Sequence, residues 1–598
     1  MNENYTNINS VWAALLVEEL VRCGVSCFFI SPGSRNTPLT AAVALNKRAS
    51  SLVHFDERGA AYAALGYSKA TGEPAALICT SGTATANYFP AIIDASQEHI
   101  PLIVLTADRP PELRHTNANQ TIQQVGLFGI YVRWFCDMPC PNDVMEPTYP
   151  LATVDQAVCR AKGSPVGPVH INCMFREPLA PIGDDQDFTE YLAPLSDWLQ
   201  SDQPHTRCRI LKPEPIAADL EPIAKWINKI ERGVIIVGSL RDEADRRAAF
   251  TLSRQLGWPL LPDITSAGSA NDDFNGLVVS YYDMILASQS WTNQHQPKAV
   301  IHLGGRTISK RLAQWLKASR PQHYLTVTDH PFRQDADRLT TNHFDCGVVA
   351  FSQAIGPCLK NSGAATRGDA TRGDTTEWAT SFVEASSKVD YLIAGQFHGD
   401  DLAEPAVARL ISKHIHPEAC LFLGNSMPIR DMDSFADPTG PAVAVGCNRG
   451  ASGIDGSIAT AVGFGLGMNK PVTLLLGDLA LLHDMNSLAL LRQLEHSMTV
   501  IVINNNGGGI FSFLPIAERN DIFESFWGTP HNMDFKHAAR QFDLAYKCPS
   551  TLPEFEEIYR ASQTKGASVL IEIRTDREAN ARLHEKLIRA VTAELNRG

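Results

Sequence analysis

VTLLLGDLALLHDMNSLALLRQLEHSMTVIVINNNGGG, residues 472–509, decides the fold. It opens on the apolar run VTLLLG (472–477), closes on MTVIVI (498–503), and carries a helix-like stretch from Met485 to His496 between them. Two strand-length apolar runs joined through a helix make a βαβ unit, whose strands are parallel and covered on both faces. Their carboxyl ends share one edge of the sheet, where open α/β sheets bind ligands. One end carries Gly477-Asp478, the other Asn504-Asn505-Asn506-Gly507. That set offers one carboxylate, amide oxygens and freely oriented Gly carbonyls, with no His or thiolate, and suits a hard cation such as Mg²⁺. The same residues are also ordinary turn chemistry, so on their own they leave a metal site and a plain loop both open.

The rhythm of strand, small or polar turn, and helix occurs in two further stretches. The first runs from Val11 to about Pro178, with strands at 26–30, 52–55, 75–79, 102–106 and 169–172. The second runs from about 210 to 355, with strands at 233–238, 299–304 and 323–329; the third also has strands at 419–424 and 567–573. The expected fold class is α/β, three doubly wound parallel-sheet domains in series. Residues 180–208 and 360–376, KNSGAATRGDATRGDTT, lack core-forming periodicity and read as linkers, the ATRGD repeat as a flexible tether.

With 52 Lys and Arg against 65 Asp and Glu, the formal net charge of −13 excludes bulk nucleic-acid binding, which needs a basic face. The 13 cysteines include no CxxC pair; Cys23/Cys27 and Cys136/Cys140 lack partners for a zinc site. The N-terminus has no signal-peptide pattern and no apolar run approaches membrane-spanning length. A reduced, soluble, cytoplasmic protein is expected. GFGLG (463–467) sits inside a helix-like stretch, SIATAVGFGLGMN, and reads as a close-packing surface rather than a dinucleotide fingerprint.

Gly477-Asp478, an intervening helix and Asn504-Asn505 at this distance resemble the fingerprint of thiamine-diphosphate enzymes. In that family the Asp carboxylate, an Asn side chain and a backbone carbonyl two residues later hold Mg²⁺, or Mn²⁺ in its place, against the diphosphate. Carried over, these are Asp478, Asn505 and Gly507; a second Gly that often follows the Asp is here Leu479. The family also needs an acid beside the aminopyrimidine ring. In HFDERGAAYAALGYSKATG (54–72) a strand ends at Asp56-Glu57 and a helix begins. A carboxylate there is favoured by the helix dipole, so simple capping competes with catalysis. Desolvation by bound cofactor would raise such a carboxyl towards proton sharing, and Glu57 is assigned as the catalytic acid. The Ala/Gly-rich helix that follows permits tight packing of a partner subunit.

SPGSRNTPL (31–39), TSGTATANYFPAIIDA (80–95), LTADRPPELRHTNANQTI (105–122), GNSMPIRDMD (424–433) and NRGASGIDG (448–456) together resemble one family of these enzymes. It is the SEPHCHC synthase family of menaquinone biosynthesis, which makes 2-succinyl-5-enolpyruvyl-6-hydroxy-3-cyclohexene-1-carboxylate. The middle of the chain matches chiefly at ISKRLAQW (308–315). The resemblance implies an N-terminal pyrimidine-binding domain (1–185), a central domain (205–358), a linker (359–395) and a C-terminal diphosphate-binding domain (396–598). It implies decarboxylation of 2-oxoglutarate and 1,4-addition of the resulting four-carbon unit to isochorismate, with release of CO₂. Both are dicarboxylates, and guanidinium forks suit them. By resemblance Ser34, Arg35, Arg109, Asn119, Gln120 and Lys310 hold isochorismate, although Lys310 also reads as an exposed helix start. Ser426 and Arg430 grip the distal carboxylate of the 2-oxoglutarate-derived part, and Arg449 is a further active-site arginine. Ile454 wedges between the cofactor rings, while Ile510 and Phe511 pack near it. The site then forms between two subunits, so at least a homodimer is implied. The alternatives are another thiamine-diphosphate 2-oxoacid decarboxylase or carboligase, or a non-catalytic protein that kept the fold.

Overall fold

The computed structural model describes residues 5–183, 186–266, 277–359, 376–397, 399–564 and 566–597. The ATRGD repeat lies outside them. The described strands form three sheets, and every strand pairing in them is parallel.

The chain divides into two compact units. One comprises Met1–Leu211 with Asn448–Asn469 and His483–His496; the other holds Lys212–Cys447, Lys470–Leu482 and Ser497–Gly598.

The first unit contains β1 (Cys27–Ile30), β2 (Ser50–Val53), β3 (Ala75–Cys79), β4 (Leu102–Asp108), β5 (Phe135–Met138) and β6 (Val169–Met174), in the order β2-β1-β3-β4-β6-β5. The second contains two sheets. β7 (Gly233–Val237), β8 (Leu260–Pro262), β9 (Ala299–Leu303), β10 (His323–Thr328) and β11 (Asn342–Asp345) run β11-β10-β9-β7-β8. β12 (Cys420–Leu423), β13 (Val445–Cys447), β14 (Val472–Gly477), β15 (Met498–Asn504), β16 (Ala545–Lys547) and β17 (Val569–Arg574) run β13-β12-β14-β15-β17-β16. β14 and β15 are adjacent in register, Val472 opposite Met498.

β5, β8, β11, β13 and β16 are absent from the sequence reading, and each is a sheet edge. β2, the remaining edge, was expected two residues too late. An edge strand is covered on fewer sides, needs no continuous apolar run, and so leaves little signal.

The 472–509 unit differs in its crossover. A helix begins at once at Asp478–His483 and a 3₁₀ helix follows at Met485–Gln493, in place of one helix from Met485 to His496. Asp484 lies at the break. Its carboxylate accepts the Ser487 hydroxyl (2.7 Å) and the Ile458 and Ala459 N–H groups (2.7 and 3.0 Å), capping the Ser457–Met468 helix.

That helix carries GFGLG and packs on the Glu57–Thr71 helix within the first unit. A Cβ at Gly463 would lie 1.8 Å from Ala63 O, and one at Gly66 2.0 Å from Thr460 O. The Ala/Gly face expected to meet a partner subunit thus meets a helix of its own chain.

The described parts of the expected linkers 180–208 and 359–395 carry structure of their own. Leu192, Leu195 and Trp198, inside 180–208, pack on Val11, Leu15 and Leu151. Glu377–Ala394, inside 359–395, is an 18-residue helix.

The expectation of a fully reduced chain is corrected by a disulfide between Cys159 and Cys208, 49 residues apart. Residues 205–208 fold back on the first unit because Glu19 accepts the His205 N–H (2.5 Å) and Asp155 the Thr206 N–H (2.7 Å). Glu19, Cys23 and Asp155 also come together as a metal site would require. Their groups are already engaged: Glu19 takes the Trp198 indole N–H at 2.6 Å, and Asp155 takes the Cys23 thiol at 3.3 Å. No described helix is long and apolar enough to cross a membrane.

Candidate active site

In the second unit, Asp478 and Asn505 follow the adjacent strands β14 and β15. Asp478 is 2% exposed. Its Oδ1 accepts the Leu479 N–H (2.7 Å) and its Oδ2 the Gly507 N–H (2.9 Å). Oδ2 also faces His531 Nε2 at 3.1 Å. His531 Nδ1 accepts the Met533 N–H (3.0 Å), so Nε2 is the protonated nitrogen and donates. A histidine therefore stands where none was expected. It arrives on a loop whose His531 and Asn532 N–H groups are held by the Asn506 side chain.

Asn505 donates from Nδ2 to Glu404 Oε1 (3.0 Å), while its Oδ1 is buried and has no hydrogen-bond partner among the described residues. Gly507 has φ +129°, and a Cβ there would lie 1.9 Å from Gly528 O. Only glycine fits.

These residues suit a hard divalent cation. A buried carboxylate meets only N–H donors and pairs with no Lys or Arg among the described residues. A buried amide oxygen, Asn505 Oδ1, meets no hydrogen-bond donor among the described residues and is a hard oxygen donor of the kind such a cation takes.

Ser426 sits at φ +75° before the Met427–Phe435 helix that follows β12, and the Arg430 guanidinium donates to its carbonyl. Ile510 and Phe511 lie half-buried in the Gly509–Phe513 turn. Lys310 is the exposed first residue of a helix capped by Ser309, whose hydroxyl oxygen accepts the Leu312 N–H.

In the first unit, Asp56 rather than Glu57 performs the capping, accepting the Arg58 and Gly59 N–H groups (3.0 and 3.4 Å). Glu57 is left half-buried at the first helical position. Its Oε2 accepts a long bond from Asn87 Nδ2, at 3.4 Å.

Ser34-Arg35 follow β1 and Arg109 follows β4, so they leave the same carboxyl edge as Glu57 after β2. Ser34 is exposed. Arg35 is 4% exposed; its Nη1 donates to Phe175 O (2.9 Å) and its Nη2 pairs with Glu177 (3.2 Å). Its Nε, like that of Arg109, is buried and has no hydrogen-bond partner among the described residues. Asn119 and Gln120 are exposed. Gln120, at φ +55°, exchanges bonds with Ser81, its carbonyl accepting the hydroxyl (2.9 Å) and its Nε2 donating to Ser81 O (3.0 Å).

The loop of Arg449 and Ile454 is tied to the same unit through Arg449 N–H to Glu98 (2.5 Å), Ala451 N–H to Asp94 (2.7 Å) and the Tyr62 hydroxyl to Asp455 (2.5 Å).

Glu404 and His531 are the two residues at this site that the sequence reading missed. Nothing in their local sequence marks them, because each acts only through a partner far along the chain.

Sequence profiles of known families match the chain in three places. Residues 11–127 match the thiamine pyrophosphate enzyme N-terminal TPP binding domain, 189–423 the middle domain of thiamine pyrophosphate enzymes, and 435–573 the C-terminal TPP binding domain. The curated protein "2-succinyl-5-enolpyruvyl-6-hydroxy-3-cyclohexene-1-carboxylate synthase" of Rubrobacter xylanophilus is 46% identical over 98% of this chain and 99% of its own length. Proteins of the same name from Salinibacter ruber and Prosthecochloris aestuarii are 42% and 40% identical, covering 99% of this chain and 98% and 99% of their own. Among solved structures, the thiamine diphosphate-dependent 4-hydroxybenzoylformate decarboxylase of Rhodococcus jostii RHA1 is similar in fold, with a TM-score of 0.70 at 16% identity over 94% of this chain and 99% of that one. With three matching enzyme domains and full-length likeness to these synthases, the chain belongs to the 2-succinyl-5-enolpyruvyl-6-hydroxy-3-cyclohexene-1-carboxylate synthase family of thiamine-diphosphate enzymes.

Proposed function

We propose that this chain decarboxylates 2-oxoglutarate and adds the resulting four-carbon unit 1,4 to isochorismate, giving 2-succinyl-5-enolpyruvyl-6-hydroxy-3-cyclohexene-1-carboxylate and CO₂ in the cytoplasm. The observation that carries the reading is the buried Asp478 carboxylate after β14 together with the Asn505 oxygen after the paired β15, buried and without a donor among the described residues, in a chain similar to the named synthases over its whole length.

Asp478, Asn505 Oδ1 and the Gly507 carbonyl would hold Mg²⁺, which would supply the positive charge that the diphosphate needs. Thiamine diphosphate, when bound, supplies the electron sink for decarboxylation and carbon–carbon bond formation. Glu57 would set its carboxyl group toward the aminopyrimidine N1′ as the catalytic acid; Asp56, not Glu57, is spent on capping the helix. Ser426 and Arg430 bind the distal carboxylate of 2-oxoglutarate. Arg109, Asn119, Gln120 and Ser34 orient isochorismate, with Arg35 contributing through its Nε, since its other nitrogens are engaged. Arg449 and Lys310 add positive charge, and Ile454, Ile510 and Phe511 give the cofactor an apolar seat. A second copy of the chain completes the working enzyme, a homodimer or homotetramer.

The test supplies thiamine diphosphate, Mg²⁺, 2-oxoglutarate and isochorismate, and follows the loss of isochorismate absorbance. Equal turnover with pyruvate in place of 2-oxoglutarate overturns the dicarboxylate assignment.

A further inference from the structure

We infer that Glu404 is a positioning residue for the metal, acting by fixing which end of the Asn505 amide faces the ligand site; this rests on the metal reading above. Glu404 opens the Glu404–His414 helix and is 2% exposed. Its Oε1 accepts two bonds, one from Asn505 Nδ2 (3.0 Å) and one from the Thr575 hydroxyl (2.9 Å).

Glu404 Oε1 meets two donors at once and acts toward both as an acceptor. Set against an Asn side chain, it selects the NH₂ end and leaves the oxygen for whatever lies on the other side. That is the state of Asn505, whose Oδ1 is buried and unpartnered.

The selection matters because the two ends of a primary amide have nearly the same shape and opposite chemistry. Turned over, Asn505 would present two N–H donors to a cation. Thr575, at the end of β17, holds the carboxylate in place, and the Cβ position of Gly509 lies only 2.6 Å from Asn505 Nδ2. The amide is thus held by electrostatics on one side and by close packing against a glycine on another. Groups that orient metal ligands in this way change metal affinity by about 10- to 100-fold when removed.

The test is a calorimetric titration of thiamine diphosphate into the protein across a series of Mg²⁺ concentrations, with no substrate present. Circular dichroism and the melting temperature of the metal-free protein report folding. Wild type should bind thiamine diphosphate in a Mg²⁺-dependent way, and Asn505→Ala should weaken that dependence; failure of either sinks the metal reading itself and the inference with it. Given both, Glu404→Leu should raise the apparent Kd for Mg²⁺ by about 10- to 100-fold. Glu404→Gln can still turn its amide oxygen to Asn505 Nδ2 and should stay close to wild type. Wild-type Mg²⁺ affinity in Glu404→Leu overturns the inference, and so does an equal loss in Glu404→Gln.

Where Glu404→Leu does not fold, the reciprocal exchange decides. Asn505→Asp alone sets two carboxylates against each other and should lose affinity, whereas Glu404→Gln combined with Asn505→Asp restores a donor–acceptor pair and should recover it. No recovery in the double variant overturns the inference.

Discussion

His531 donates from Nε2 to Asp478 Oδ2 across 3.1 Å, its other ring nitrogen having accepted the Met533 N–H. The bond joins a loop beyond β15 to the carboxylate that ends β14, and both side chains are almost fully buried. Replacing His531 by Phe removes the donor and keeps the bulk. The Mg²⁺ concentration giving half-maximal activity should rise about 10-fold or more, with kcat at saturating Mg²⁺ changed far less. An unchanged Mg²⁺ requirement would show the bond to be architectural only.

Glu57→Gln keeps the shape of the side chain and removes its acid group. Turnover should fall by at least about 10²-fold, while calorimetric binding of thiamine diphosphate with Mg²⁺ stays near wild type. Retained turnover refutes the role of Glu57.

Arg430→Ala should raise the KM for 2-oxoglutarate about 10- to 100-fold, the range of a lost charge-assisted hydrogen bond. The KM for isochorismate should move little. A change confined to isochorismate would exchange the two pocket assignments.

His170 is fully buried in the first unit, and its Nε2 donates to the Thr106 hydroxyl (2.7 Å), whose own proton goes to Asn172 Oδ1 (2.9 Å). Burial pushes its pKa down to about 3 from the ordinary 6.5. In that window the unfolded chain binds a proton that the folded chain refuses. Stability contributed by neutral His170 is complete above pH 6.5 and is lost towards pH 3, by up to about 1.4 kcal/mol per pH unit. Urea midpoints measured across that range should fall less steeply for His170→Gln than for wild type; parallel profiles would remove His170 as a cause.

Gly463→Ala puts a methyl group where Ala63 O already stands, 1.8 Å away. Both helices must separate, which costs about 1–3 kcal/mol or more. The urea midpoint should fall accordingly, and a neutral result would mean that the two helices are not packed this tightly.

The central strands, and the placing of Asp478 and Asn505 together, were legible in the sequence for one reason. A parallel strand covered on both faces must be apolar throughout, so 472–477 and 498–503 announce themselves and place Asp478 and Asn505 on one sheet edge. Edge strands escape that requirement, and β5, β8, β11, β13 and β16 left no such trace. Glu57 was legible as a residue between strand and helix. That Asp56 takes the cap and frees it is a matter of side-chain direction, which chain order does not encode.

The tertiary structure alone brought His531 to Asp478 over 53 residues, Glu404 to Asn505 over 101, and the Arg35 guanidinium to Phe175 O over 140. Local sequence determines what a residue can donate or accept. Which partner meets it is decided by how sheets and loops distant along the chain are folded together, because a buried polar group must be satisfied by whatever the fold places beside it.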